Sequence, residues 1–152
     1  MILSDLFGFE LSWFHPISVH LLTGAFFILF LTESINFFTG KPEFFKVGSF
    51  LYLVISVLLM ISAGSGLFAK SYATSSLTEV DDVFNYHQTL ALLTLIFFVL
   101  AGYLRLSDYQ KSKMTRISKL TYFVLLLSAL SLTITALFGG RLVFHYGIGV
   151  NS

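Results

Sequence analysis

The chain has no cysteine. That excludes a disulfide, a thiolate metal ligand and covalent haem attachment through a C-x-x-C-H motif. Charge is scarce as well: 11% of residues are Asp, Glu, Lys or Arg, against about 25% in an ordinary soluble domain. The net charge is only +1, and the few basic residues form no patch beside stacking aromatics, so a nucleic-acid surface is not expected. No lysine or arginine precedes Lys41, so the first apolar run lacks the charged n-region of a cleaved signal peptide.

What is present is overwhelmingly apolar. Of 152 residues, 56% are hydrophobic, and the mean hydropathy is +0.85. The apolar residues fall into four runs, about 17–38, 47–69, 86–104 and 117–138. Each has the roughly 20 residues that an α-helix needs to cross a hydrocarbon core of about 30 Å. The runs show no polar alternation and are too long for spanning strands. The expectation is all-α: one integral membrane domain over 1–152, a four-transmembrane-helix bundle whose backbone polar groups are satisfied within each segment.

Seven of the nine basic residues (Lys41, Lys46, Arg105, Lys111, Lys113, Arg116 and Lys119) fall in or beside the first and third loops. The positive-inside rule puts those loops in the cytoplasm, with both termini on the outer side, periplasmic in a bacterial inner membrane. Pro16 suits the first position of helix 1, where its missing N–H costs nothing.

On this topology all four histidines share the outer side. His15 and His20 open helix 1 in "WFHPISVH", His87 opens helix 3 in "NYHQTLA", and His145 follows helix 4 in "GGRLVFHYGIGV". Taking Asn36 and Arg105 as the inner ends of helices 1 and 3, His20 and His87 lie about 24 and 27 Å away. Facing imidazoles at matched depth are what axial ligation of haem iron requires. The expected pairs are therefore His20 with His87 in a deeper site and His15 with His145 in a shallower one, holding one or two haems b. Gly24 and Ala91, each one turn inward of a histidine, leave room for a macrocycle edge. The run "SAGSG", Ser62 to Gly66, keeps helix 2 slim. Arg141 and Lys70, the basic residues of the outer side, are candidates for the haem propionates.

Plain structural roles compete with each of these. Small residues are common where membrane helices touch, and a histidine at a helix end also serves as a cap or an interfacial group. Glu33 is expected to pair with Arg105 or a nearby lysine. Ser128, Ser131, Thr133 and Thr135 are expected to hydrogen-bond within helix 4 and carry no chemistry.

The same motifs carry a resemblance. "HPISVH", a histidine heading helix 3 and "GGRLVFHYGIGV" together resemble the membrane-protein family called domain of unknown function 2231, over essentially the whole chain. His15, Pro16, Val19 and His20 match its first motif, although Leu21 and Leu22 replace a Phe-Pro pair. Gly139, Gly140, Leu142, Val143, Phe144, His145, Gly147, Gly149 and Val150 match its last, with Tyr146 inserted. The resemblance implies a four-helix bacterial membrane protein. Members joined to cytochrome-like domains suggest a redox setting.

Two function classes follow. One is a b-type cytochrome, an electron-transfer subunit working in the bilayer beside other subunits of a membrane complex, rather than a self-standing enzyme. The other is a cofactor-free accessory or scaffolding subunit with structural histidines. A third, weaker reading is a histidine copper or zinc site, since imidazole suits both metals.

Overall fold

The computed structural model describes residues 11–72, 78–112 and 115–148, with side chains over 14–67, 80–110 and 115–148. Four helices account for nearly all of it: α1 Leu11–Thr39, α2 Pro42–Tyr72, α3 Thr78–Ser112 and α4 Lys119–Phe144. Each contains a stretch long and apolar enough to cross a membrane.

The helices outrun the expected segments at nearly every end. The apolar runs mark where hydrocarbon ends, whereas intrahelical hydrogen bonding continues through polar interfacial residues until a specific signal stops it. α1 stops at Gly40, whose φ of 69° and N–H to the Asn36 carbonyl (2.7 Å) turn the chain. α4 starts at Ser118, whose side chain accepts the Thr121 N–H at 3.2 Å. Pro16 is not at a helix start. α1 begins five residues earlier, so Pro16 lies inside it. The proline that does occupy a first helical position is Pro42.

α1 packs against α2 and α4, and α4 against α3. The central core is built from Leu22, Phe26 and Leu29 of α1, Ile55 of α2, Phe98 and Ala101 of α3, and Val124, Leu125 and Leu132 of α4. A smaller cluster of Val80, Val83 and Leu142 closes the end at which α3 begins. The outward faces are just as apolar: Leu21, Phe27, Phe50, Leu53 and Leu137 are each at least 60% exposed. In water such a belt would drive aggregation. In a bilayer it is the lipid-contacting surface, and the protein is an integral membrane protein.

Polar side chains tie the bundle inside this apolar frame. Ser128 and Ser131 do not bond within α4 as expected. Their hydroxyls donate across to the Thr94 and Leu90 carbonyls of α3, at 3.1 and 2.9 Å, while Thr133 and Thr135 do bond within their own helix. The serines face α3, where small residues let the two backbones approach. Asn36, fully buried, clasps both loops at the other end of the bundle. Its amide donates to the Lys41 and Thr115 carbonyls (3.1 and 2.7 Å), and its oxygen accepts the Ile117 N–H at 3.1 Å.

Candidate functional site: a histidine pair across the bundle

α1 and α3 bring His15 and His87 together. Their ring centroids lie 6.4 Å apart with the planes at 86°. Both side chains are half-buried in the bundle interior. Each ring rests on a glycine of the next helix. A Cβ at Gly66 of α2 would stand 2.9 Å from His15 Cε1, and a Cβ at Gly139 of α4 would stand 3.0 Å from His87 Cε1. Neither contact is tolerable without moving a ring, so these two glycines set where the imidazoles lie.

Hydrogen bonding then fixes which nitrogen is which. His87 Nδ1 is 3.0 Å from the Thr135 carbonyl oxygen, which only accepts. Nδ1 therefore carries the proton, and in the neutral ring Nε2 keeps the lone pair. His15 Nδ1 is 3.0 Å from Ser65 Oγ. Ser65 spends its one proton on the Ser62 carbonyl at 3.0 Å, and the neighbouring Ser18 hydroxyl, 3.2 Å away, spends its own on the His15 carbonyl at 2.9 Å. Ser65 Oγ must then accept from His15 Nδ1–H. Both rings are thus set in the tautomer that a metal-ligating Nε2 requires, with Nδ1–H held by an oxygen behind it. On the same wall the Ser62 hydroxyl is buried without a partner.

The other expected residues lie elsewhere. His20 does not face His87. It is exposed, and its Nδ1 returns to the Pro16 carbonyl of its own helix at 2.7 Å. His145 does not meet His15. It is the exposed C-cap of α4, edge-on to Tyr146 at 4.7 Å. Gly24 and Ala91 are on exposed faces, and a Cβ at Gly24 would touch nothing within 4 Å. The exposed Arg141 holds the Tyr146 hydroxyl at 3.3 Å. Lys70 belongs to α2, but its side chain lies outside the described residues.

The physical reason for the exchanged partner is a depth marker. Asn36 is not level with Arg105. The residue that is level is Glu33, whose Oε1 accepts from Arg105 Nε at 2.8 Å. His15 and His87 each stand eighteen residues from their member of that ion pair. Eighteen residues are about five full turns and about 27 Å of rise. Each histidine therefore lies on the same face of its helix as Glu33 or Arg105, and the two reach the same height.

The ion pair itself is sealed. Glu33 is 0% and Arg105 7% exposed. The guanidinium also donates to Ser49 Oγ at 3.0 Å and to the Phe45 carbonyl, and it lies 3.8 Å over the Phe45 ring. Gly48 is required beside it, because a Cβ there would collide with the Glu33 carboxylate.

Sequence reasoning missed Ser65, Thr135 and Gly139 as parts of the histidine site. A signal for their helices was present: "SAGSG" on α2 and "GG" on α4 are small-residue positions that leave room for an imidazole. Among the described residues, no three or more His, Asp or Glu side chains converge as an ion cage. The donor set is two imidazoles.

A family model described as "Predicted membrane protein (DUF2231)" matches residues 12–152. No curated protein and no solved structure matches the chain.

Proposed function

For a chain that belongs to the DUF2231 family of predicted membrane proteins, we propose the role of a b-type haem-binding electron carrier with one haem, its iron held between His15 and His87. The observation that carries this reading is the 6.4 Å centroid separation of the two rings. Imidazoles on opposite sides of one metal, at a metal–nitrogen distance of about 2 Å, have centroids about 6 Å apart.

The donor set fits the group in two further ways. A haem brings four nitrogens of its own and asks the protein for two axial ligands. The tautomer set by Thr135 and Ser65 offers an Nε2 lone pair from each ring, and the bonds behind Nδ1 raise the ligand basicity. A bound haem would supply one-electron chemistry at its iron. The chain's own residues would hold the rings at fixed depth, exclude water with the Leu22–Phe26–Leu132 core below, and keep both imidazoles neutral. The two-haem arrangement finds no support in the positions of His20 and His145.

An electron carrier of this size works beside a donor and an acceptor, so the reading includes partner subunits in a membrane complex. The basic residues at the ends opposite the histidines favour an orientation with the haem on the outer side, which in a bacterial inner membrane is the periplasmic one.

The test is an absorption spectrum of the detergent-purified protein from haem-replete cells, oxidised and then reduced. The expected result is a Soret band that shifts on reduction, with α and β bands. A colourless preparation overturns the haem reading. Metal analysis of the same sample then decides between copper on the two imidazoles and a cofactor-free accessory role.

A further inference from the structure

α2 and α3 are adjacent helices whose backbones stay apart, and the gap between them is a cleft of about 770 Å³. It lies toward the Glu33–Arg105 end, some five turns from the histidines. Two aromatic pairs bridge it: Tyr52 stacks on Phe98 at 5.0 Å and Phe45 on Tyr109 at 5.7 Å. On α2 the bridges are seven residues apart, about 10 Å of rise. Between them sits the Arg105 guanidinium, and the outer lips are the lipid-facing Leu53 and Val99.

The hydrogen-bond inventory of this wall is unbalanced. A guanidinium has five N–H donors. Arg105 gives one each to Glu33, Ser49 and the Phe45 carbonyl, which leaves two. The Tyr52 hydroxyl is buried with no partner, and so is Glu33 Oε2. Tyr52 and Arg105 line the cleft and Glu33 does not, so among the described residues the polar groups left over on the cleft side are donors, in a region where an unpaired polar group costs several kcal/mol. A molecule that completes this wall has to bring acceptors. Bridges above and below favour a compact ring entering sideways over an acyl chain lying along the bundle, and the aromatic faces favour a flat one.

We propose that the α2–α3 cleft binds a lipid-soluble molecule whose flat, compact head carries hydrogen-bond-accepting carbonyls, the chemistry of a quinone, with Tyr52 and Arg105 as its donors. The cleft is a mostly apolar pocket of suitable size with a few convergent polar groups, which is the usual make-up of a small-molecule site. The inference does not rest on the haem reading, because no residue is shared between the two sites.

The experiment uses the full chain in lipid nanodiscs, titrated with a short-tailed benzoquinone, together with an organic extract of the purified protein. Saturable binding at one site per chain is expected, with quinone in the extract. Tyr52→Phe removes the unpaired donor, and Val99→Trp fills the mouth from a lipid-exposed position outside the packed core. Tyr52→Phe should weaken binding about tenfold, the size of one lost hydrogen bond in a dry site, and Val99→Trp should weaken it at least as much by blocking entry. His87→Ala should leave it unchanged, so failure of the haem reading and failure of this one are told apart. No saturable binding, phospholipid alone in the extract, or unaltered affinity in Val99→Trp overturns the proposal. Should Tyr52→Phe lose its helical circular dichroism, Val99→Trp decides alone.

Discussion

Glu33 accepts from Arg105 at 2.8 Å in the interior of the bundle, and this one ion pair fixes the axial register of α1 against α3. Sliding one helix by a turn would leave both charges unpaired in an apolar medium. Because His15 and His87 each lie eighteen residues away on the same faces, that register also delivers the histidines to one height. The pair at one end of the molecule is thus positioned by the pair at the other.

If that register is a matter of pairing, breaking it from one side should be far worse than removing it whole. Arg105→Leu alone strands the Glu33 carboxylate and should cost about 3–5 kcal/mol. Glu33→Leu with Arg105→Leu should recover most of that loss. Thermal unfolding in detergent of both single variants and the double variant completes the cycle. A double variant as unstable as the sum of the singles would refute a coupled pair.

The four histidines should separate into two classes. With haem bound, His15→Ala and His87→Ala should each abolish the reduced-minus-oxidised α band. His20→Ala and His145→Ala, exposed and facing away, should keep it in full. Loss of signal in His20→Ala with the fold intact would restore His20 as a ligand and discard the pairing described above.

Glycines that look alike in the sequence should behave differently. Gly66→Val and Gly139→Val push branched side chains into imidazoles already 2.9 and 3.0 Å from a single Cβ. Both should shift or erase the haem spectrum while circular dichroism stays helical. Gly24→Ala meets nothing within 4 Å and should stabilise α1 slightly, by about 0.5–1 kcal/mol, because alanine is the better helix former. A melting curve for each variant checks the contrast.

Asn36 should prove the costliest neutral polar side chain to remove. Asn36→Leu leaves the Ile117 N–H and the Lys41 and Thr115 carbonyls without their partner. At about 1–3 kcal/mol per stranded buried group, the loss should clearly exceed that of Thr133→Ala, which gives up one exposed bond within its own helix. Equal melting temperatures for the two variants would contradict the clasp.

How much of this was legible beforehand differs between the frame and the site. Hydropathy and length determined four spanning helices, because lipid demands that each backbone satisfy itself locally, and that demand is written in consecutive residues. Glu33 was legible as a partner for Arg105, since a carboxylate inside a span has few other fates. The helix ends were less so: Gly40 and Ser118 set them through turn and cap geometry rather than hydropathy. The reach of Ser128 and Ser131 to α3 is not legible in the sequence, because nothing local distinguishes a serine that bonds its own helix from one that reaches the next.

The histidine site shows the boundary most clearly. The sequence by itself determined that His15 and His87 could reach a common end of a membrane bundle. Which of two histidines, five residues apart on α1, turned inward was decided by tertiary packing. The Glu33–Arg105 bond set the axial height, the glycines of α2 and α4 left room for the rings, and Ser65 and Thr135 chose the nitrogen each ring presents. Those are contacts between helices distant in the chain, and spacing within any one segment does not encode them.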